Sequence, residues 1–186
     1  MHRASLLALL LATVPAAASD QALYARLSGL TMLQDTYKAE RTPTGIDFVS
    51  KSTIPTPDGE QHPKYHVEVE GALPAHGLNS LEAAAKVVAG SIRSEVDASR
   101  PQENPIAPGI NVDFVDINGV VVAILSYRSS MEDRPFRQRA VMLAGDHLYV
   151  ATMSWHTALE KDPAAMTLML VVIDMVNSGE IDGLRT

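Results

Sequence analysis

Hydrophobic positions along the chain switch between a helical and an extended period. From Asp20 to Asp35, Leu23, Leu27, Leu30 and Leu33 recur at helical spacing, interrupted by Ser28-Gly29, which predicts a short and imperfect helix. From Gly45 to Thr53 the period falls to two through Ile46 and Phe48, and Ile54-Pro55-Thr56-Pro57-Asp58-Gly59 then breaks it with turn residues, so a strand followed by a loop is expected. Lys64 to Glu70 alternates strictly. Tyr65, Val67 and Val69 share one face, and Lys64, His66, Glu68 and Glu70 share the other, which predicts a half-exposed edge strand with a solvated polar face.

The second half repeats one device. Asn79 and Glu82 stand in capping-box spacing ahead of Leu81, Ala85, Val88, Ile92 and Val96, predicting a helix from Ser80 to about Ala98 that the prolines between Arg100 and Pro108 terminate. Asn118-Gly119 joins the apolar runs Ile110–Ile117 and Val120–Arg128, and Gly145-Asp146 joins Phe136–Leu143 to Leu148–His156, so four consecutive antiparallel strands follow. Asp162 and Pro163 open a closing helix and Gly179 ends it. That helix is apolar all round, so it needs cover on two sides. The sheet supplies one cover and the segment Leu23–Leu33 the other; alternatively its Met-rich back, Met166, Met169 and Met175, meets a partner. The expected architecture is α+β, an antiparallel sheet made of a four-strand meander and two leading strands, flanked by helices.

The first residues change the picture of where this domain works. His2 and Arg3, an apolar core from Leu6 to Val14, and Pro15-Ala16-Ala17-Ala18-Ser19 follow the three-part order of a secretory signal, so residues 1–19 are expected to be removed on export to the periplasm, leaving 20–186 as one domain without a transmembrane segment. The chain contains no cysteine, which excludes thiol catalysis, disulfide redox chemistry and zinc–thiolate sites. Its formal charge of −7 makes nucleic acid and anionic membrane surfaces poor partners and suits a basic protein.

No motif signals a nucleophile elbow, a phosphate loop or a zinc-protease helix. His62, His66 and Glu68 form a candidate metal or acid–base cluster, although a His-x-Glu spacing on a strand is more often a solvated face. The more distinctive concentration is Tyr127, Arg128, Arg137, Arg139, Tyr149, Trp155 and His156, all on the meander, because Tyr, Trp and Arg dominate interface hot spots. The competing explanation is that alternation buries Tyr149 and Trp155 and pairs the arginines with nearby carboxylates. The polar loop Ser129–Pro135 is a second candidate contact surface.

The stretch Gly119–Val176 resembles the carboxyl half of the small exported domains grouped with the photosystem protein PsbP and the lipoprotein DcrB. The resemblance is carried by Gly119-Val120-Val121-Val122 into Ser126-Tyr127-Arg128, by Arg137–Leu143, by Gly145–Thr152, and by the helix after Asp162-Pro163. It differs in lacking a lipobox cysteine and in placing a helix before the first strand. The resemblance implies a non-enzymatic accessory or protein-binding module without cofactors, with immunity toward a secreted antibacterial toxin as one form. A metal-dependent enzyme or metal binder using His62, His66 and Glu68 is the alternative.

Overall fold

The computed structural model describes residues 17–56, 59–75, 77–99, 103–130, 135–144 and 147–180. Most of the predicted leader therefore lies outside the described residues, as does the centre of the Ser129–Pro135 loop. The chain is α+β, built on one antiparallel sheet of eight strands. Helices α1 (Ala17–Ser28) and α2 (Thr31–Gln34) lead into strands β1 (Tyr37–Arg41) and β2 (Ile46–Ser50). A small separate hairpin, β3 (Ile54–Thr56) and β4 (Gly59–Gln61), precedes β5 (Lys64–Pro74) and helix α3 (Leu81–Ser91). The meander follows as β7 (Ile110–Ile117), β8 (Val120–Arg128), β9 (Phe136–Ala144) and β10 (His147–Trp155), with a three-residue β6 (Pro105–Ala107) before it and helix α4 (Ala164–Ser178) closing the fold.

The strand order β1-β2-β5-β10-β9-β8-β7-β6 places the end of the meander beside the earlier strands, so β5 is an interior strand between β2 and β10. The expected edge position of β5 is thereby corrected. Alternation could not reveal this, because strand order is set by long-range pairing. The Asn118-Gly119 turn forms as expected: both residues have positive φ, 54° and 84°, the twist that a two-residue hairpin needs. A glycine is required for a different reason at Gly45, where a Cβ would stand 2.1 Å from the carbonyl oxygen of Val67 and separate β2 from β5.

Each face of the sheet has its own core. On one, α1, α2 and α4 cover Phe48, Tyr65, Tyr149, Met153 and Trp155, among others. On the other, α3 covers Ile110, Leu125, Val141 and Val150. Leu23, Leu27 and Leu33 pack with α4 in the first core, so the N-terminal segment is the second cover of the closing helix. The partner reading of its methionines is corrected accordingly: Met169 and Met175 are buried, and only Met166 is exposed. Local chemistry explains two further boundaries. Ser80 caps α3 by accepting the N–H of Ala83, displacing the expected Asn79, and α3 stops at Ser91 before a single 3-10 turn at Arg93–Glu95. Asp162 accepts the N–H of Ala164 at the start of α4, and Gly179 ends that helix in the left-handed conformation.

Candidate functional site: a strand-end cleft and the polar row behind it

Sheet register turns the meander's alternating residues into rows that cross the strands. On the α4 face, Trp155 pairs with Phe136 across β10 and β9, and Phe136 pairs with Arg128 across β9 and β8. The side chains follow that register. Phe136 stacks on Trp155 with ring centres 5.8 Å apart and planes 15° from parallel, and the Arg128 guanidinium carbon lies 4.3 Å from the centre of the Phe136 ring. The next row, Gln138, Ser126 and Asn111, is polar, and the Gln138 side-chain amide donates to the Ser126 hydroxyl at 3.3 Å. Both rows line a cleft of about 500 Å³ at the end of the meander, with Glu160 at its rim. That volume is in the range of ligand clefts.

The stack runs from core to solvent. Trp155 is 7% exposed, while Phe136 and Arg128 are half-buried. The Trp155 indole N–H is buried and has no hydrogen-bond acceptor among the described residues. Arg128 likewise has no carboxylate within ion-pair reach among them. Among the described residues Arg128 is thus a cation without a carboxylate partner in a chain of net charge −7, while the indole N–H lies buried out of the cleft's reach.

The same strands carry a different row on the α3 face. Asp47, His66, Ser154, Arg137 and Tyr127 occupy successive register positions on β2, β5, β10, β9 and β8. The Asp47 carboxylate receives His66 Nδ1 at 2.7 Å and Lys64 Nζ at 2.5 Å. Burial pushes the Asp47 carboxyl up, but the hydrogen bonds and charges of His66 and Lys64 outweigh it and hold the group at about 2. One row further along, Arg139 reaches Glu70 at 3.2 Å and Glu95 at 3.7 Å, and its Nε donates to the Tyr127 hydroxyl at 3.2 Å. Burial raises the Glu70 carboxyl and Arg139 opposes it. Burial also raises the Tyr127 phenol, against the pull of Arg139.

The residues singled out from sequence are therefore divided. Arg128 and Trp155 meet in the cleft. By register Arg137, Arg139 and Tyr127 belong to the opposite face, although Tyr127 and Arg137 also border the cleft, and the expectation that the arginines pair with carboxylates holds for Arg139. Tyr149 is core, 1% exposed. His156 lies just beyond β10, where its Nδ1 accepts the N–H of Ala158 and starts a 3-10 turn. Phe136 was missed, since only the register shows that it joins Trp155 to Arg128; a lone aromatic opening a strand carries no such signal.

The polar face of β5 is corrected from solvated to largely covered: His66 is 8% exposed and bound to Asp47. His62 is exposed and its Nδ1 lies 2.7 Å from the Ser50 carbonyl, so His62, His66 and Glu68 do not converge, although His66 Nε2 and Glu68 stand 3.9 Å apart. Among the described residues no three potential ligands form a cation site. Asp47, His66 and Ser154 have the order of a nucleophilic relay, with Asp47 fixing the imidazole as such chemistry requires. Yet Ser154 is 1% exposed, its hydroxyl has no hydrogen-bond partner among the described residues, and it makes no bond to His66. A nucleophile must be reached by substrate and deprotonated by its base, and this serine meets neither condition.

Comparison with known proteins adds little. No protein-family model matches the chain, and no curated protein matches it. One similar solved structure is that of a Pseudomonas aeruginosa protein of unknown function, 11% identical, with a TM-score of 0.41 over 73% of this chain and 94% of that one. A likeness that loose carries no argument about function. No described helix is long and apolar enough to cross a membrane.

Proposed function

We propose that the protein is an exported, non-enzymatic accessory module of the PsbP/DcrB-like kind that binds another protein, and that the strand-end cleft is its recognition surface. The observation that carries this reading is the cross-strand row Trp155–Phe136–Arg128 lining an open cleft. Trp and Arg supply a disproportionate share of binding energy at interfaces. Stacked on a sheet floor, they are held in place before a partner arrives, so less conformational entropy is lost on binding. The alternative on the opposite face, chemistry at His66, has less support, because its buried groups are tied to one another and its serine is inaccessible.

The test is capture from a periplasmic extract by the purified protein, comparing the unaltered chain with Phe136→Ala and with Ser154→Ala. A stoichiometric partner held by the unaltered protein and by Ser154→Ala, and lost by Phe136→Ala in a folded state, is the expected result. Equal retention by all three would overturn the assignment of the cleft.

A further inference from the structure

Resting on the reading of the cleft as the recognition surface, we infer that the group it receives is a carboxylate carried on an apolar body. Arg128 presents donors only. It is half-buried at the cleft and no carboxylate among the described residues lies within ion-pair reach of it, so an anion brought by a ligand gives it a partner. The Trp155 indole N–H is buried out of a ligand's reach, so Trp155 contributes its ring and not its donor. Gln138 donates one amide N–H to Ser126 and keeps its carbonyl oxygen, and Glu160 is a carboxylate, so selection of an anion rests on Arg128.

The stack narrows the chemistry further. The Arg128 guanidinium carbon lies 4.3 Å from the centre of the Phe136 ring, and the N–H donors of a guanidinium lie in its own plane. Those in-plane donors match the two oxygens of a carboxylate in a fork. Phe136 and Trp155, lying beside the guanidinium along the same row, offer an apolar surface to whatever carries that carboxylate. Glu160 at the rim is an exposed acceptor that suits an N–H of the ligand and disfavours a second negative charge. One negative charge with an apolar neighbour describes two sources, the free C-terminus of a polypeptide and a free amphiphilic acid.

The chain's single tryptophan is Trp155, so intrinsic fluorescence reports directly on the cleft. The experiment titrates the purified protein with N-acetyl-Phe-Leu, with its C-terminal amide, with octanoate and with octan-1-ol, and repeats the series on Arg128→Gln and Arg128→Lys. Each variant's fold is confirmed by circular dichroism. A charge-assisted fork predicts that the unaltered protein binds the free acids about tenfold or more tighter than their neutral counterparts, that Arg128→Gln loses about that factor for the acids, and that Arg128→Lys recovers part of it. The tighter of the two acids identifies the source. Equal binding of acid and amide, unaffected by Arg128→Gln, overturns the carboxylate and leaves the cleft as recognition surface. No response to any compound also overturns it. The partner capture described above then decides separately whether the cleft itself fails, through its sensitivity to Phe136→Ala.

Discussion

The two faces of the meander are made by the same strands and differ in what their polar groups do. On the α3 face the ionised groups satisfy each other, Asp47 with His66 and Lys64 and Arg139 with Glu70, while the buried hydroxyls of Ser154 and Thr152 between them have no hydrogen-bond partner among the described residues. On the α4 face, the row through Trp155 and Arg128 is stacked, its Arg128 has no carboxylate partner among the described residues, and it lines an open cleft. Closed networks contribute to one fixed structure, whereas a rigid row that ends in an accessible cation is what recognition requires. Both faces carry arginine, so the contrast lies in what each arginine meets: carboxylates for Arg139, an aromatic ring for Arg128.

The sharpest way to break the comparison is Asp47→Ala. It strands His66 and Lys64 beside a cavity and is expected to cost about 3 kcal/mol in urea unfolding, while the folded fraction keeps its cleft binding. Acid tests the same group without mutation. The Asp47 carboxyl is depressed from 3.8 to about 2, so its stabilisation is fully present above about pH 4 and is lost as pH falls toward 2. A folded state in which Asp47→Asn abolishes that acid-induced loss would confirm the assignment, and an unchanged acid midpoint would refute it.

Arg139→Met comes next. It leaves Glu70 half-buried without its cation and is expected to cost about 2 kcal/mol with cleft binding unchanged, measured by unfolding and by Trp155 fluorescence. Phe136→Ala inverts the pattern. Removing both stacking contacts of a half-buried ring costs about 1–2 kcal/mol, but binding at the cleft should be lost altogether. The smallest effect belongs to Ser154→Ala. Deleting a buried hydroxyl that has no partner should leave stability unchanged or raise it by about 0.5 kcal/mol, with binding intact. A loss above about 1 kcal/mol would instead show that this hydroxyl is satisfied in solution.

Much of the fold was legible because it is local. The Asn118-Gly119 hairpin, the cap at Asp162, the stop at Gly179 and the period-two runs of the meander depend on residues a few positions apart. What was missed is either short or defined by distance. β1 has a buried Tyr37 followed by four residues that are not buried, a weak pattern that becomes a strand only by pairing with β2. β6 contains Pro105 and is held by a few bonds to β7. Of the candidate site, the residue types were visible and the grouping was not. Arg128 and Arg137 look equivalent in sequence, yet an odd or even place relative to Trp155 across two register steps puts them on opposite faces.

By itself, then, the sequence determined the element types, the hairpin turns, the helix caps and the absence of thiol chemistry, all consequences of local sterics, hydrogen bonding and composition. Only the tertiary structure decided that β5 is an interior strand, that His66 is covered and bound to Asp47, and that Phe136 joins Trp155 to Arg128. Register between strands far apart in the chain fixes those three facts. It is set by the summed burial of two cores, which no short stretch of sequence contains.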